Sequence, residues 1–320
     1  MKTSISYSLI AAAMACGFAN AQTTAYTTPV GYITANILPN VSNSESGSAT
    51  FIASSLVQPA VFAGAAVSSP SGGNVITFSG GVPALLDSTY VLEISDGAQQ
   101  GWYSAVTSSG SAVGTTITVM DAFPASLSAS VTVTVRKFTT IQNVFGDNSP
   151  GLGATDEIQV FDPATQVASV VIYAGGWFDQ VTEEPAGGVI IYPGTAVKVV
   201  HRANTTLSVV SSGEVKTTST QVDVFDNDNW LGQPNPTGGT FGTMQLATQV
   251  LTTDFVNLIK PDEGTGQPTE SFQSVSNVMY NIVTEEDATT QPVSQGNGYL
   301  LSRASGGSTT ITIPAQVVAP

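Results

Sequence analysis

Three short stretches decide how this chain folds: Thr115-Thr-Ile-Thr-Val119, Val131-Thr-Val-Thr-Val135 and Thr309-Thr-Ile-Thr-Ile313. In each, apolar and hydroxyl side chains alternate with period 2, and nearly every residue is β-branched. Extended backbone sends successive side chains to opposite faces, so such a run reads as a half-buried strand. Denser apolar runs, Val170-Val-Ile-Tyr173 and Gly188-Val-Ile-Ile-Tyr192, read as more central strands. Gly72-Gly73, Gly80-Gly81, Pro193-Gly194, Ser212-Gly213 and Gly306-Gly307 read as turns. Helical periodicity is scarce; Thr139 to Phe145, with a Thr cap, and Gly242 to Val250 read as short helical turns. Many short strands with Gly- or Pro-rich turns predict an all-β protein built as sandwich or barrel.

Working outward, parts of the second half echo one another. Asp156-Glu-Ile-Gln-Val-Phe161 corresponds to Asp254-Phe-Val-Asn-Leu-Ile259, and Val171-Ile-Tyr173 to Val278-Met-Tyr280. The stretch Gly194 to Arg202 aligns with Gly296 to Arg303, with a one-residue slip. A period of about 100 residues is too long for a solenoid and predicts tandem duplication of one β-domain. The segment before it differs: Tyr90-Val-Leu-Glu-Ile94, the Gly97 to Gly101 turn and Thr115 to Val119 form a run of hairpins. The expected architecture is a signal peptide (1–21), a small N-terminal β-barrel or sandwich (22–137) and a first β-repeat (138–220). An Asp/Asn/Gly-rich linker (221–241) and a second β-repeat (242–320) follow.

Lys2, the apolar stretch Ile5 to Phe18 and Ala19-Asn20-Ala21 read as a secretory signal cleaved before Gln22. The apolar run is shorter than the roughly 20 residues of a membrane-spanning helix. Cys16 is the only cysteine. It would be lipidated in a lipoprotein, but Ala13 stands where Leu is usual, so it reads as part of the discarded peptide. Removing 21 residues leaves 299, with 7 basic and 23 acidic residues. So acidic a surface disfavours nucleic acid and anionic membranes as partners. Without cysteine, disulfides, thiolate metal sites and cysteine nucleophiles are excluded from the mature chain.

Candidate sites are few. His201, the single histidine, has no Gly-x-Ser-x-Gly elbow nearby and reads as an exposed or edge-strand residue. One histidine also excludes the usual His-based zinc sites. Asp179 with Glu183-Glu184, and Glu285-Glu286-Asp287, are paired acids of the type glycoside hydrolysis needs. They fall at equivalent places in the repeats, which points to fold geometry or solvation. Asp223, Asp226 and Asp228 offer oxygen ligands at a spacing calcium tolerates, without the Gly and closing Glu of an EF-hand; the other reading is an Asx-rich turn. Trp102, Tyr103, Trp177 and Trp230 are candidates for stacking on sugar rings, against the commoner use of aromatics in cores. Arg202 and Arg303 end equivalent strands and are expected to pair with Asp156 and Asp254 as structural residues.

Several short motifs carry a resemblance. They are Thr28-Pro29-Val30-Gly31-Tyr32, Thr116-Ile-Thr-Val119, Arg136-Lys-Phe-Thr-Thr140 with Phe145-Gly146, Asp156-Glu-Ile158, Trp177, and Ile191-Tyr-Pro-Gly194 leading to Arg202. Through them the chain resembles an uncharacterised family of exported proteins known from Verrucomicrobia and related bacteria. The resemblance implies export and a β-rich body, and carries over no catalytic residue. The function expected is that of a non-enzymatic structural or surface-associated protein of the cell envelope, located at the surface, in the periplasm or outside the cell. Its partners would be copies of itself or envelope polysaccharide, with no cofactor unless calcium. The alternatives are a carbohydrate-binding module and an outer-membrane β-barrel pore. The segment Gln22 to Pro39 reads either as a strand donated to another subunit or as a first strand of its own chain.

Overall fold

The computed structural model describes residues 30–41, 45–68, 72–84, 86–109, 115–125, 127, 131–147, 151–258 and 270–316. The signal segment, Cys16 and Thr28-Pro29 lie outside them. The chain is nearly all β. Three strands open it: β1 (Val30–Ile37), β2 (Ser48–Ala53) and β3 (Leu56–Val57). β1 alternates without a break: Val30, Tyr32, Thr34 and Asn36 face solvent, and Ile33, Ala35 and Ile37 are buried. Six strands follow: β4 (Ala60–Ser68), β5 (Val75–Phe78), β6 (Tyr90–Ile94), β7 (Tyr103–Ser109), β8 (Thr116–Val119) and β9 (Thr132–Lys137). They close into a barrel in the order β4-β5-β8-β7-β6-β9. Ile76, Leu92, Val106, Ile117 and Val133 are wholly buried inside it. A pore needs a polar, water-filled lumen, and this interior is apolar and filled.

The chain then returns to the neighbourhood of β1 and β2. β10 (Thr139–Thr140) leads into helix α1 (Ile141–Phe145). Thr140 caps α1, and its hydroxyl and the Asn143 side chain each accept the other's backbone N–H, so two orphan donors are satisfied at once. Next come β11 (Glu157–Asp162), β12 (Val167–Tyr173), β13 (Trp177–Asp179), β14 (Ile190–Ile191), β15 (Ala196–His201) and β16 (Leu207–Val215). They form the sheets β13-β12-β11-β15-β2, β1-β16-β3 and β10-β14 around Ile37, Ile52, Ile141, Phe145, Val197 and Val199. The remaining strands are β17 (Thr220–Val224), β18 (Asn227–Gly232), β19 (Gly239–Thr240), β20 (Phe255–Leu258), β21 (Glu270–Val275), β22 (Val278–Asn281), β23 (Pro292–Val293), β24 (Gly298–Arg303) and β25 (Thr309–Ile313), with a 3-10 turn at Leu246–Thr248. They form the sheets β22-β21-β20-β24-β18, β17-β25 and β19-β23.

The second set of sheets has the strand order of the first, strand for strand, apart from the short β3. The barrel lies in sequence between β3 and β10, both of which pair within the first set. Pairing therefore crosses the boundaries expected at 137 and 241. β1 and β2 are hydrogen-bonded to β16 and β15, and the first half of the expected linker, residues 221–232, runs through β17 and β18, paired to β25 and β24. Alternating Asp and Asn disguised those strands: Asp223 and Asn227 sit on outward faces while Val222, Val224 and Leu231 fill the core. Two other expectations also fail. The run Gly188 to Tyr192 contributes only the two-residue β14, and Ser212-Gly213 lies within β16. Gly213 is there for contact: a Cβ would stand 2.6 Å from the Val57 carbonyl oxygen.

The two sets pack with β2 and β15 against β18 and β24. Pairing registers match Ala53 to Gly232, Ile52 to Leu231, Ala196 to Gly298 and Gly194 to Gly296. Ala53 N–H donates to the Gly296 carbonyl at 2.8 Å, and Gly232 N–H donates to the Gly194 carbonyl at 2.8 Å. Lone bridges join Ile52 to Asn297 and Leu231 to Thr195. Exchanging matched residues turns each contact into the other, which is the behaviour of an isologous, two-fold interface. Phe51 and the matched Trp230 meet edge to face across it at 5.3 Å.

Candidate functional site

His201 ends β15, between β11 and β2, and is fully buried; it is neither exposed nor on an edge. Its Nδ1 lies 2.9 Å from Asp156 Oδ2, and its Nε2 lies 3.0 Å from the Thr205 carbonyl oxygen. Both ring nitrogens are engaged inside the protein, so neither is directed at a substrate. Registers match His201, and not Arg202, to Arg303. Arg303 Nε stands 3.6 Å from Asp254 Oδ2 at the corresponding place. Arg202 instead reaches Glu157 at 2.7 Å, and only its backbone N–H donates to Asp156, at 2.8 Å. The expected pair Asp254–Arg303 is thus present, whereas Asp156 pairs with His201. Burial raises the Asp254 carboxyl above its usual range, against hydrogen bonding from Leu251 and the Arg303 charge.

Two of the acids, Asp179 and Asp287, serve their own loop backbone, Asp287 by accepting from Thr289 N–H at 2.7 Å. Asp179 Oδ1 accepts from Val181 and Thr182, and the matched Asn281 Oδ1 accepts from Val283 and Thr284. Glu183 and Glu285 both take positive φ, 59° and 58°. The tetrapeptide Val-Thr-Glu-Glu occurs at both places, 181–184 and 283–286, an identity the sequence reading passed over.

The proposed calcium ligands do not converge. Asp223 accepts from Thr310 at 2.7 Å, Asp226 from Gly307 N–H at 2.9 Å, and Asp228 from Ser302 at 3.0 Å. Among the described residues no group of three or more His, Cys, Asp or Glu is gathered for a metal. Asn229, buried behind them, holds the turn by bonding both Phe225 N–H and its carbonyl.

The candidate stacking residues are also dispersed. Trp102 packs on Phe123 at 4.9 Å at the barrel core. Trp177 is buried, and its Nε1 donates to the Gly146 carbonyl at 2.8 Å. Trp230 lies flat on Phe161, 4.7 Å between centroids at 16°. Tyr103 alone opens onto a large cleft.

That cleft, of about 700 Å³, lies where the barrel, the first set of sheets and β17 meet. Tyr103 reaches it from β7 and Asp121 from the turn after β8. Asp162 comes from the β11–β12 hairpin, Tyr192 from the turn after β14, and Asp223 from β17. Tyr103 Oη donates to the Pro193 carbonyl at 3.3 Å. Burial, with the Asp223, Tyr192 and Asp121 charges, holds its hydroxyl well above the usual phenol range. Burial, then Asp121 and Asp162, also raises the Tyr192 hydroxyl. These groups feel one another, although Asp121, Asp162 and Tyr192 were not singled out as site residues in the sequence. Among the described residues no Lys or Arg forms an ion pair with Asp121, Asp162 or Asp223.

The barrel is fastened to the first set of sheets by buried charges. Lys216 meets Glu93, and Arg136 lies 3.9 Å from Glu93 and 3.3 Å from Glu214. No protein family, curated protein or solved structure matches this chain.

Proposed function

We propose that this is an exported, non-enzymatic structural protein of the bacterial envelope that works by packing its β-sheets on copies of itself. One observation carries the reading: the two matched sheet edges are treated differently. At β17 the edge is covered by the barrel, where Gln221 N–H donates to the Gly101 carbonyl at 3.1 Å. At β1 the outer edge has no strand partner among the described residues. An open edge is a template for another strand. Val30 and Tyr32 are 78% and 77% exposed along it, and Val210 on β16, opposite Thr34, is exposed diagonally to Tyr32. Val30 to Ile37 carries no charge, so two copies can join there without opposing like charges, although the whole chain carries −15.

Export rests on the signal-like residues 1–21, and kinship with the exported Verrucomicrobia family rests on the quoted motifs. Tandem duplication is part of the same reading, supported by the shared strand order and the reciprocal contacts between the two sets. The non-catalytic assignment rests on the engaged nitrogens of His201 and on acid loops that bond their own backbone. Immunogold imaging of intact cells that make the protein tests the proposal: a continuous layer or filaments at the surface are expected, and a diffuse secreted species would overturn it.

A further inference from the structure

The near two-fold relation builds the same hollow twice. The cleft containing Tyr192 and Asp223 has a twin of about 850 Å³ in which the matched positions are Ser294 and Asn36. The match is supported locally: Thr310 donates to Asp223 as Ser208 donates to Asn36, and Thr195 N–H donates to the Tyr192 carbonyl as Asn297 N–H donates to that of Ser294. The twin has no Asp, Glu, Lys, Arg, His or Tyr in its walls. The fold therefore does not dictate the tyrosines and carboxylates of the first cleft. Three carboxylates line it: Asp121 accepts from Ser104 at 2.7 Å, Asp162 from Ala164 N–H at 2.9 Å and from Thr165 at 2.8 Å, and Asp223 from Thr310, and none of them is ion-paired among the described residues. Tyr192 is 47% exposed, and its hydroxyl makes no hydrogen bond to a described residue. Among the described residues the walls carry no Lys, Arg or His, so their charge favours a cation over an anion.

We propose that this cleft binds a small organic cation, an ammonium group taken up by the ring faces of Tyr103 and Tyr192 and by Asp121, Asp162 and Asp223. Aromatic faces attract ammonium through the ring quadrupole, and a concave, partly apolar site with a few converging polar groups is the usual form of a small-molecule site. The proposal is independent of self-association.

Calorimetric titration of the full-length protein with glucosamine, with putrescine as a sugar-free amine and with glucose as the uncharged match tests it. Saturable binding of at least one amine is expected, weakened by added salt, with glucose much weaker. Binding of glucosamine alone assigns the amine to a sugar; binding of both assigns the site to the ammonium group itself. Tyr192→Ala and Asp162→Asn should each weaken binding by roughly three- to tenfold, the scale of one ring–cation contact. Ser294→Ala in the twin cleft should leave it unchanged, with near-ultraviolet circular dichroism checking the fold of each variant. Glucose binding as tightly as glucosamine, no saturable binding of either amine, or binding indifferent to Tyr192→Ala and Asp162→Asn overturns the proposal.

Discussion

At the residue scale, one position in each set of sheets pairs a basic side chain with a buried carboxylate: His201 with Asp156, and Arg303 with Asp254. Removing one member of a buried pair leaves the other polar group unmatched, so His201→Ala should cost about 3–5 kcal/mol in chemical denaturation. Tyr299 is the opposite case. Its hydroxyl is buried without a hydrogen-bond partner among the described residues, and such a group costs about 1–3 kcal/mol. Tyr299→Phe should therefore stabilise the protein, by around 1 kcal/mol in the same assay. Burial holds the Tyr103 and Tyr299 hydroxyls above the ordinary value of 10.0. Above that pH the unfolded phenols ionise while the folded ones keep their protons. The folded state then binds more protons, and stability falls as pH rises. Denaturation midpoints measured upward from pH 10.0 should decline, and less steeply in Tyr299→Phe. The sequence located Asp156, Asp254 and Arg303 as structural residues but chose Arg202 over His201. Identical letters suggested that match; strand register, which no single sequence displays, decides it.

At the element scale, strands with clean alternation were legible to within two residues at each end. Thr309 to Ile313 is β25 itself, and Thr116–Val119 and Thr132–Lys137 lie where period 2 put them. The α1 cap was legible too, because Thr140 acts through local chemistry. Failures fell where a residue's role depends on what touches it. Gly232 fell within the expected linker and Gly298 carried no reading of its own, yet both sit in strands at the contact between the two sets. A Cβ on Gly232 would stand 2.4 Å from the Thr195 carbonyl oxygen and 2.6 Å from Ala53 Cβ. Gly232→Ala should cost about 1–3 kcal/mol, the range for overpacking, whereas Gly80→Ala, whose Cβ meets nothing within 4 Å, should be near neutral. Paired thermal melts of the two variants check this. The cleft residues were the least legible of all. Tyr103 and Asp223 were singled out for unrelated reasons, and only folding brings them beside Asp121, Asp162 and Tyr192.

At the scale of the whole molecule, the all-β class followed from periodicity, and of the two forms expected for the hairpin run, barrel or sandwich, the chain takes the closed barrel. That the barrel interrupts a set of sheets did not, because β1 and β2 find partners more than 140 residues away and pairing at that separation leaves no local trace. The same topology explains the functional reading. The barrel covers the edge of β17, whereas that of β1 has no strand partner among the described residues, in a chain whose charge otherwise keeps copies apart. Sedimentation velocity of the purified mature chain over a wide concentration range, with calcium present, tests this most directly. The account predicts concentration-dependent association that Val30→Lys with Tyr32→Lys abolishes without changing the circular dichroism spectrum. A species that stays strictly monomeric at the highest concentration, or an assembly indifferent to those two lysines, would contradict it.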